Sequence, residues 1–479
     1  MESNASAPPR GKKILWFVLP ACASVLLLAF TNKICQDVAV IPFLWVLPLG
    51  IYLLSFIICF DSPGLYSRTP FSIAYLLLLI LLLDVLFEGV YFPIALQVGI
   101  YAATLFVACM ICHGELSHLK PHPRFLTSYY LMISAGGAAG GVAVAILAPL
   151  LFNSYAELHW GLWGSALLLV ILYARDKFTV KVGRDVFPSW PITLAGLILL
   201  GVVLELQSRH VARQTIYRTR NFYAVLQVLE HDKNFILNHR YVLKSGQILH
   251  GLQFAAPSKA GLHTSYYYER SGVGLALQLL NRPQGRRIGV VGLGVGTLAG
   301  FGQKGDTLRF YEINPQVQRI AERHFTYLAH ATGQVEVVMG DARLSMENEP
   351  PQQFDLLVLD AFTSDAIPVH LLTREAFEIY LRHLKPDGVL AVHISNRHLK
   401  LQPVVEKLAA SFRLHSALTT FVAEDFSAGA MSSEWMLVTR EKNFLEQDAI
   451  RRATGPPTEN LQRAPLWTDD YTSLFRILK

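Results

Sequence analysis

The chain has 479 residues, room for two or more domains, with 52% hydrophobic residues and a mean hydropathy of +0.34. The net charge of +6 is spread along the chain without a polybasic tract, which argues against nucleic acid as a partner. All five cysteines (Cys22, Cys35, Cys59, Cys109, Cys112) precede residue 113, so the remainder can hold neither a disulfide framework nor a thiolate metal site.

Charge divides the chain. Residues 1–207 carry 11 Lys/Arg and 10 Asp/Glu, whereas the rest carries 31 and 26, the density of an ordinary globular domain. Apolar runs long enough to cross a hydrocarbon core recur at 14–31, 38–60, 71–88, 94–112, 127–151, 158–174 and 188–206. The first run lacks a small-residue cleavage site and is read as a retained helix rather than a signal peptide. The fifth contains Gly136, Gly137, Gly140 and Gly141, which let helix backbones approach closely. The chain is therefore read as a transmembrane helical domain over 1–207 with about seven spans. A juxtamembrane segment and small β-hairpin domain follow over 208–285, and a nucleotide-binding domain over 286–479.

Orientation carries a conflict. Lys and Arg at the N-terminus, in 113–126 and in 175–184 mark those segments as cytoplasmic, and seven spans then leave the C-terminal half outside. One span is accordingly expected to be re-entrant or miscounted. The protein is expected in the inner or plasma membrane as a multi-pass protein, with its soluble half in the cytoplasm.

Within the apolar half, Asp84 and Glu88 stand one helical turn apart, which suits either a cation path or the membrane interface. His113, Glu115 and His118 lie at a helix–loop junction and read as an interfacial polar cluster rather than a metal site. Cys109 and Cys112 read as helix packing.

From Tyr217 the pattern changes to β-hairpins. Arg220–Leu229 alternates, Phe235–Leu237 and Tyr241–Leu243 flank a polar turn, and Ile248–Phe254 follows Ser245-Gly246. Apolar strands then alternate with helical stretches, as a parallel α/β sheet requires. The first strand, Arg287–Val291, runs into Gly292-Leu-Gly294-Val-Gly296-Thr297, where glycine lets a nucleotide approach the backbone. The second, Leu308–Asn314, places Glu312 twenty residues after Gly292, the spacing at which a carboxylate can accept from ribose hydroxyls. The third, Val335–Met339, ends in Gly340-Asp341-Ala342, where Asp341 can bind an adenine amino group or cap the following helix. The fourth, Phe354–Asp360, ends in a carboxylate, and the fifth, Gly388–Ile394, runs into Ser395-Asn396. Ligands of open α/β sheets bind at these strand ends.

On these residues the segment 217–479 resembles the spermidine synthase family, and in particular its membrane-fused branch. The residues that carry the likeness are Gly292–Thr297, Tyr311–Asn314, Gly340–Ala342 and Leu359-Asp360-Ala361 running to Pro368. His250–Gln253 and Ser265–Glu269 stand where the family has its pocket Gln and its Tyr-containing segment. The resemblance implies a small antiparallel β domain followed by an α/β Rossmann-like S-adenosylmethionine-dependent transferase fold. It implies transfer of an aminopropyl group from decarboxylated S-adenosylmethionine to an amine such as putrescine, without a metal. By position, Gly292, Gly294, Gly296, Glu312, Asp341 and Ala342 would hold the donor. Asp360 and Tyr267 would be catalytic, and Gln253, Tyr268 and Asp365 would line the amine site. A polyamine substrate, the lipid bilayer and a homodimer are the implied partners. Two positions depart from the family. Val295 stands where its glycine loop carries an acidic residue, and the second carboxylate of its D-S-S-D-P motif is shifted to Asp365. Asp469 and Asp470 could supply the missing negative charge or form an ordinary acidic turn. An S-adenosylmethionine-dependent methyltransferase, and a transporter or sensor with a regulatory nucleotide domain, are the competing readings.

Overall fold

The structure, a computed structural model, describes residues 7–38, 44–89, 92–182, 185–246, 248–361, 368–396, 399–424 and 427–479. It divides into two compact units, 1–213 with 220–225 and 214–219 with 226–479.

The first unit is a helical bundle. Among the described residues, six helices are long and apolar enough to cross a membrane: Arg10–Gln36, Arg68–Glu88, Ile94–His118, Pro123–Leu151, Glu157–Arg175 and Trp190–Ala212. Of the run expected over 38–60, residues 39–43 lie outside the described residues, and the described part includes the 16-residue apolar helix Val46–Asp61, about 24 Å long at 1.5 Å per residue. The outward faces carry Leu76, Leu77 and Ile80 more than half exposed, a surface suited to hydrocarbon rather than to water. Close approach of helices explains the small residues: a Cβ on Gly136 would lie 2.1 Å from the carbonyl oxygen of Phe17.

Several polar groups within the bundle are paired, although Ser72 Oγ and His113 Nε2 are buried without a hydrogen-bond partner. The Arg68 guanidinium donates to both oxygens of Glu115 at 2.6 Å and to Asp176 at 2.8 Å, and Tyr66 donates to Glu115 at 2.9 Å. His113 Nδ1 lies 3.0 Å from Ser55 Oγ. His113 and Glu115 thus point to different partners, and no group of three metal-ligating side chains exists among the described residues. Asp84 and Glu88 are exposed on the outer face of their helix, away from the bundle interior. β1 (Thr179–Val182) pairs antiparallel with β2 (Asp185–Pro188).

The second unit begins with a four-stranded sheet in the order β3 (Thr215–Arg220), β4 (Val225–His231), β5 (Arg240–Ser245), β6 (Ile248–Phe254). The expected strand over Phe235–Leu237 is instead the β4–β5 turn. Asp232 O accepts from Phe235 N at 2.8 Å, and Phe235 O accepts from Asn238 and His239, so the backbone closes on itself rather than on a partner strand.

The seven-stranded sheet contains β7 (Arg287–Val291), β8 (Thr307–Glu312), β9 (Gln334–Met339), β10 (Phe354–Leu359), β11 (Leu384–His393), β12 (His415–Phe421) and β13 (Ser433–Thr439). Its order is β12-β13-β11-β10-β7-β8-β9, and only β13 runs antiparallel to its neighbours. β10 is buried along its whole length, as expected for a strand covered on both faces. The order of strands reverses between β7 and β10, so the crevice at a topological switch point opens beside the glycine loop and Asp360.

Arg286, just before β7, is 3% exposed and forms a buried pair with Asp306, its Nη2 2.5 Å from Oδ2. Its other donors go to the carbonyls of Leu277 and Phe301. Arg286→Leu strands a buried carboxylate and is expected to destabilise this unit by about 3–5 kcal/mol. A urea titration followed by tryptophan fluorescence checks this, because the unit's buried Trp435 and Trp467 report its unfolding.

Candidate active site

Three backbone features place the glycine loop at the switch point. Gly292 N donates to Tyr311 O at 2.9 Å, and Asp360 N donates to Val291 O at 2.9 Å. Gly292 has φ +97°, and a Cβ there would lie 2.3 Å from the carbonyl oxygen of Asp360. Gly294, at φ +55°, turns under the carbonyl of His250 and the hydroxyl of Tyr267. Gly296 takes φ +83° as the chain enters a short helical turn.

Glu312 ends β8 nearly buried. Its Oε2 accepts from Leu293 N at 2.9 Å and its Oε1 from Asn314 N at 2.8 Å, so the carboxylate ties the glycine loop to the second strand. Burial pushes its pKa above the ordinary 4.5, against the opposing pull of backbone N–H groups from Asn314, Leu293 and Ile313. Asp341 is both a cap and a presented carboxylate: Oδ1 accepts from Leu344 N at 3.0 Å, and Oδ2 lies 3.0 Å from His370 Nε2. Ala342 is buried beneath it as the first residue of that helix.

Asp360 follows β10, and its side chain is almost fully buried. Oδ2 accepts from the Tyr267 hydroxyl, and Oδ1 lies 2.7 Å from His393 Nδ1. Burial, reinforced by the Asp360 charge, pushes the Tyr266 and Tyr267 phenols well above their ordinary pKa, so Tyr267 remains a donor. The Tyr266 ring stacks on His393 with centroids 4.5 Å apart. The structure therefore brings Tyr266 and Tyr267 to Asp360, while the Tyr268 ring packs on Phe421 at 5.2 Å. Gln253 is 3% exposed and its amide is committed to the protein: Nε2 donates to Ala260 O and Thr326 Oγ1, and Oε1 accepts from Thr326 N, each at 2.8 Å. It braces the wall of the site instead of presenting a free amide. Asp365 lies outside the described residues.

Val295 is fully buried. A Cβ on Gly251 would lie 2.5 Å from its Cγ2, so Val295 packs against β6 and contributes no polar atom to the loop. Asp469 does not replace the missing charge, because Arg343 holds both its oxygens at 2.7 and 2.5 Å and Thr373 donates to it at 2.8 Å. That fork, with the Arg343 hydrogen bonds foremost, holds its carboxyl below the usual range.

His393 and Tyr266 were missed by sequence reasoning. The signal for His393 was a single polar residue at the carboxyl end of the apolar strand Gly388–Ile394, which alone cannot be told from a strand terminus.

No protein-family model matches the chain. A polyamine aminopropyltransferase of Vibrio vulnificus is 28% identical over 269 residues, covering 55% of this chain and 84% of that protein. Over those residues the chain is spermidine synthase-like. An N-terminal histidine N-methyltransferase of Emericella nidulans is 34% identical over 105 residues, but this covers 22% of the chain and 19% of that protein. Among solved structures, a probable spermidine synthase from Corynebacterium glutamicum aligns over 54% of this chain and 98% of its own, at 16% identity and TM-score 0.40. Spermidine synthase from Thermotoga maritima aligns over 53% and 80%, at 14% identity and TM-score 0.33. On the likeness to the Vibrio vulnificus protein the chain is a spermidine synthase-like transferase, and its glycine loop, Glu312 and Asp360 are the parts on which chemistry can be argued.

Proposed function

We propose that the protein is a membrane-anchored aminopropyltransferase that moves an aminopropyl group from decarboxylated S-adenosylmethionine to an amine such as putrescine. The observation that carries this reading is Asp360, a buried carboxylate at the switch point, beside the glycine loop and held by two fixed partners. A carboxylate has about four lone-pair positions, so two protein contacts leave acceptor capacity for a substrate ammonium.

The chemistry needs few parts. The substrate ammonium gives one proton to Asp360, and the freed nitrogen lone pair attacks the methylene carbon bonded to the donor's sulfonium. As the new C–N bond forms, the C–S bond breaks and its electron pair stays on sulfur, leaving a neutral thioether and a secondary ammonium. Glu312 would accept from the ribose hydroxyls and Asp341 from the adenine amino group. Gly292, Gly294 and Gly296 would admit the donor close to the backbone, with Ala342 packed below the base. Tyr267, with Tyr268 and Asp365, belongs to the amine side. Holding amine and sulfonium in line supplies much of the remaining rate.

Placement of the soluble half in the cytoplasm, where such a donor is made, completes the proposal, as does anchoring by the apolar helices. Val295 favours one second reading: with no carboxylate in the loop to meet the donor's amino group, intact S-adenosylmethionine would meet no repulsion there, as in a methyltransferase. Calorimetry of the purified full chain with both donors separates the two. Tighter binding of the decarboxylated donor is expected, and binding of the intact donor alone would overturn the aminopropyl reading.

Donor affinity should also depend on pH. Ribose hydroxyls need the ionised Glu312, whose pKa is raised, so affinity is flat above that pKa and falls about tenfold per pH unit below it. The same titration of Glu312→Gln is expected to lack this dependence.

A further inference from the structure

The imidazole of His393 is fixed on every side. Tyr266 stacks on it at 4.5 Å and Trp435 at 4.6 Å, and the Trp435 indole donates to Tyr266 O at 3.2 Å, which holds the ring stack together. In the ring plane, Nδ1 faces Asp360 Oδ1 at 2.7 Å and Nε2 faces Ser395 Oγ at 2.8 Å.

Hydrogen-bond polarity can be followed inward from the backbone, whose direction is fixed. Glu434 N–H donates to Ser395 Oγ at 2.8 Å. The serine proton then has two outlets, His393 Nε2 at 2.8 Å and Glu434 O at 3.5 Å, of which the first is far the better hydrogen bond. With Ser395 donating, Nε2 is an acceptor, and the ring proton sits on Nδ1, aimed at Asp360. Tyr267 donates to the other oxygen, so the carboxylate meets two donors and is held as an acceptor.

We propose that His393 is a positioning residue for Asp360: a neutral imidazole protonated on Nδ1, set in that tautomer by Ser395, which orients the carboxylate toward the reacting amine.

This rests on the aminopropyltransferase reading for its kinetic arm only. The first measurement is independent of activity: nitrogen NMR of the full chain labelled at histidine, with the His393 signals assigned by their loss in His393→Asn. A protonated Nδ1 and a bare Nε2 are expected; a protonated Nε2 overturns the proposal. In the second, His393→Leu is expected to lower kcat about a hundredfold while leaving the dissociation constant of the donor unchanged. His393→Asn, whose amide nitrogen stands near the Nδ1 position, is expected to recover kcat to within about tenfold of wild type. Wild-type kcat in His393→Leu, or equal impairment of the two variants, overturns it. If the unmodified protein transfers no aminopropyl group at all, the function fails while the NMR result still decides the tautomer.

Discussion

Asp360→Asn is expected to lower turnover by about a thousandfold while donor binding stays within about twofold of wild type. The first figure is the loss typical of removing a positioned general base. The asymmetry follows from geometry. The groups proposed to hold the donor, Glu312 and the glycine loop, are tied to each other through Leu293 N, a bond that does not involve the Asp360 side chain. Asparagine can still accept one hydrogen bond, but its amide group faces either Tyr267 or His393, both donors, and cannot take a proton from the amine. Single-turnover kinetics beside calorimetric titration of the donor checks both halves. Equal loss of binding and turnover would mean that Asp360 is a structural residue.

Glu312→Gln should do the reverse, weakening the donor by about 10- to 100-fold with little change in turnover at saturation. That range corresponds to one charge-assisted hydrogen bond of roughly 1.5–3 kcal/mol. Gln also keeps only one acceptor for two backbone donors, so the loop loses one of its ties. Calorimetry of the donor above the pH at which wild-type affinity becomes flat isolates this effect from protonation. If this variant and Asp360→Asn behave alike, the division of roles between donor and amine is wrong.

Much of the soluble half was legible in the chain because each parallel strand is an apolar run ending in a polar punctuation. Gly292, Glu312, Asp341 and Asp360 all sit at such ends, and β7 to β10 form as the periodicity suggested. The apolar helices were legible for a similar reason, since length and composition alone distinguish them. Less legible was whatever depended on closure at a distance. Phe235–Leu237 has the composition of a strand, yet local hydrogen bonds make it a turn. The stack of Tyr266, His393 and Trp435 joins residues far apart in sequence, and the strand that supplies Trp435 runs antiparallel between β11 and the edge strand β12. Gln253 shows the converse limit: its position in the chain gave no sign that its amide is committed to Ala260 and Thr326.

Val295 is informative in a different way. Its side chain packs against Gly251, so at this position the glycine loop meets β6 through apolar packing and not through a charge. Under the proposed function, selection of the donor would then rest on Glu312, Asp341 and Asp360.

The most direct test is a transfer assay on the full chain in detergent, supplied with saturating decarboxylated S-adenosylmethionine and a panel of diamines and polyamines, with both products followed by mass spectrometry. The expected result is an aminopropylated amine and the thioether nucleoside appearing in equal amounts, both about a thousandfold more slowly with Asp360→Asn. Absence of both products with every amine, from a protein that binds the donor, would contradict the assignment of Asp360 as the base for aminopropyl transfer.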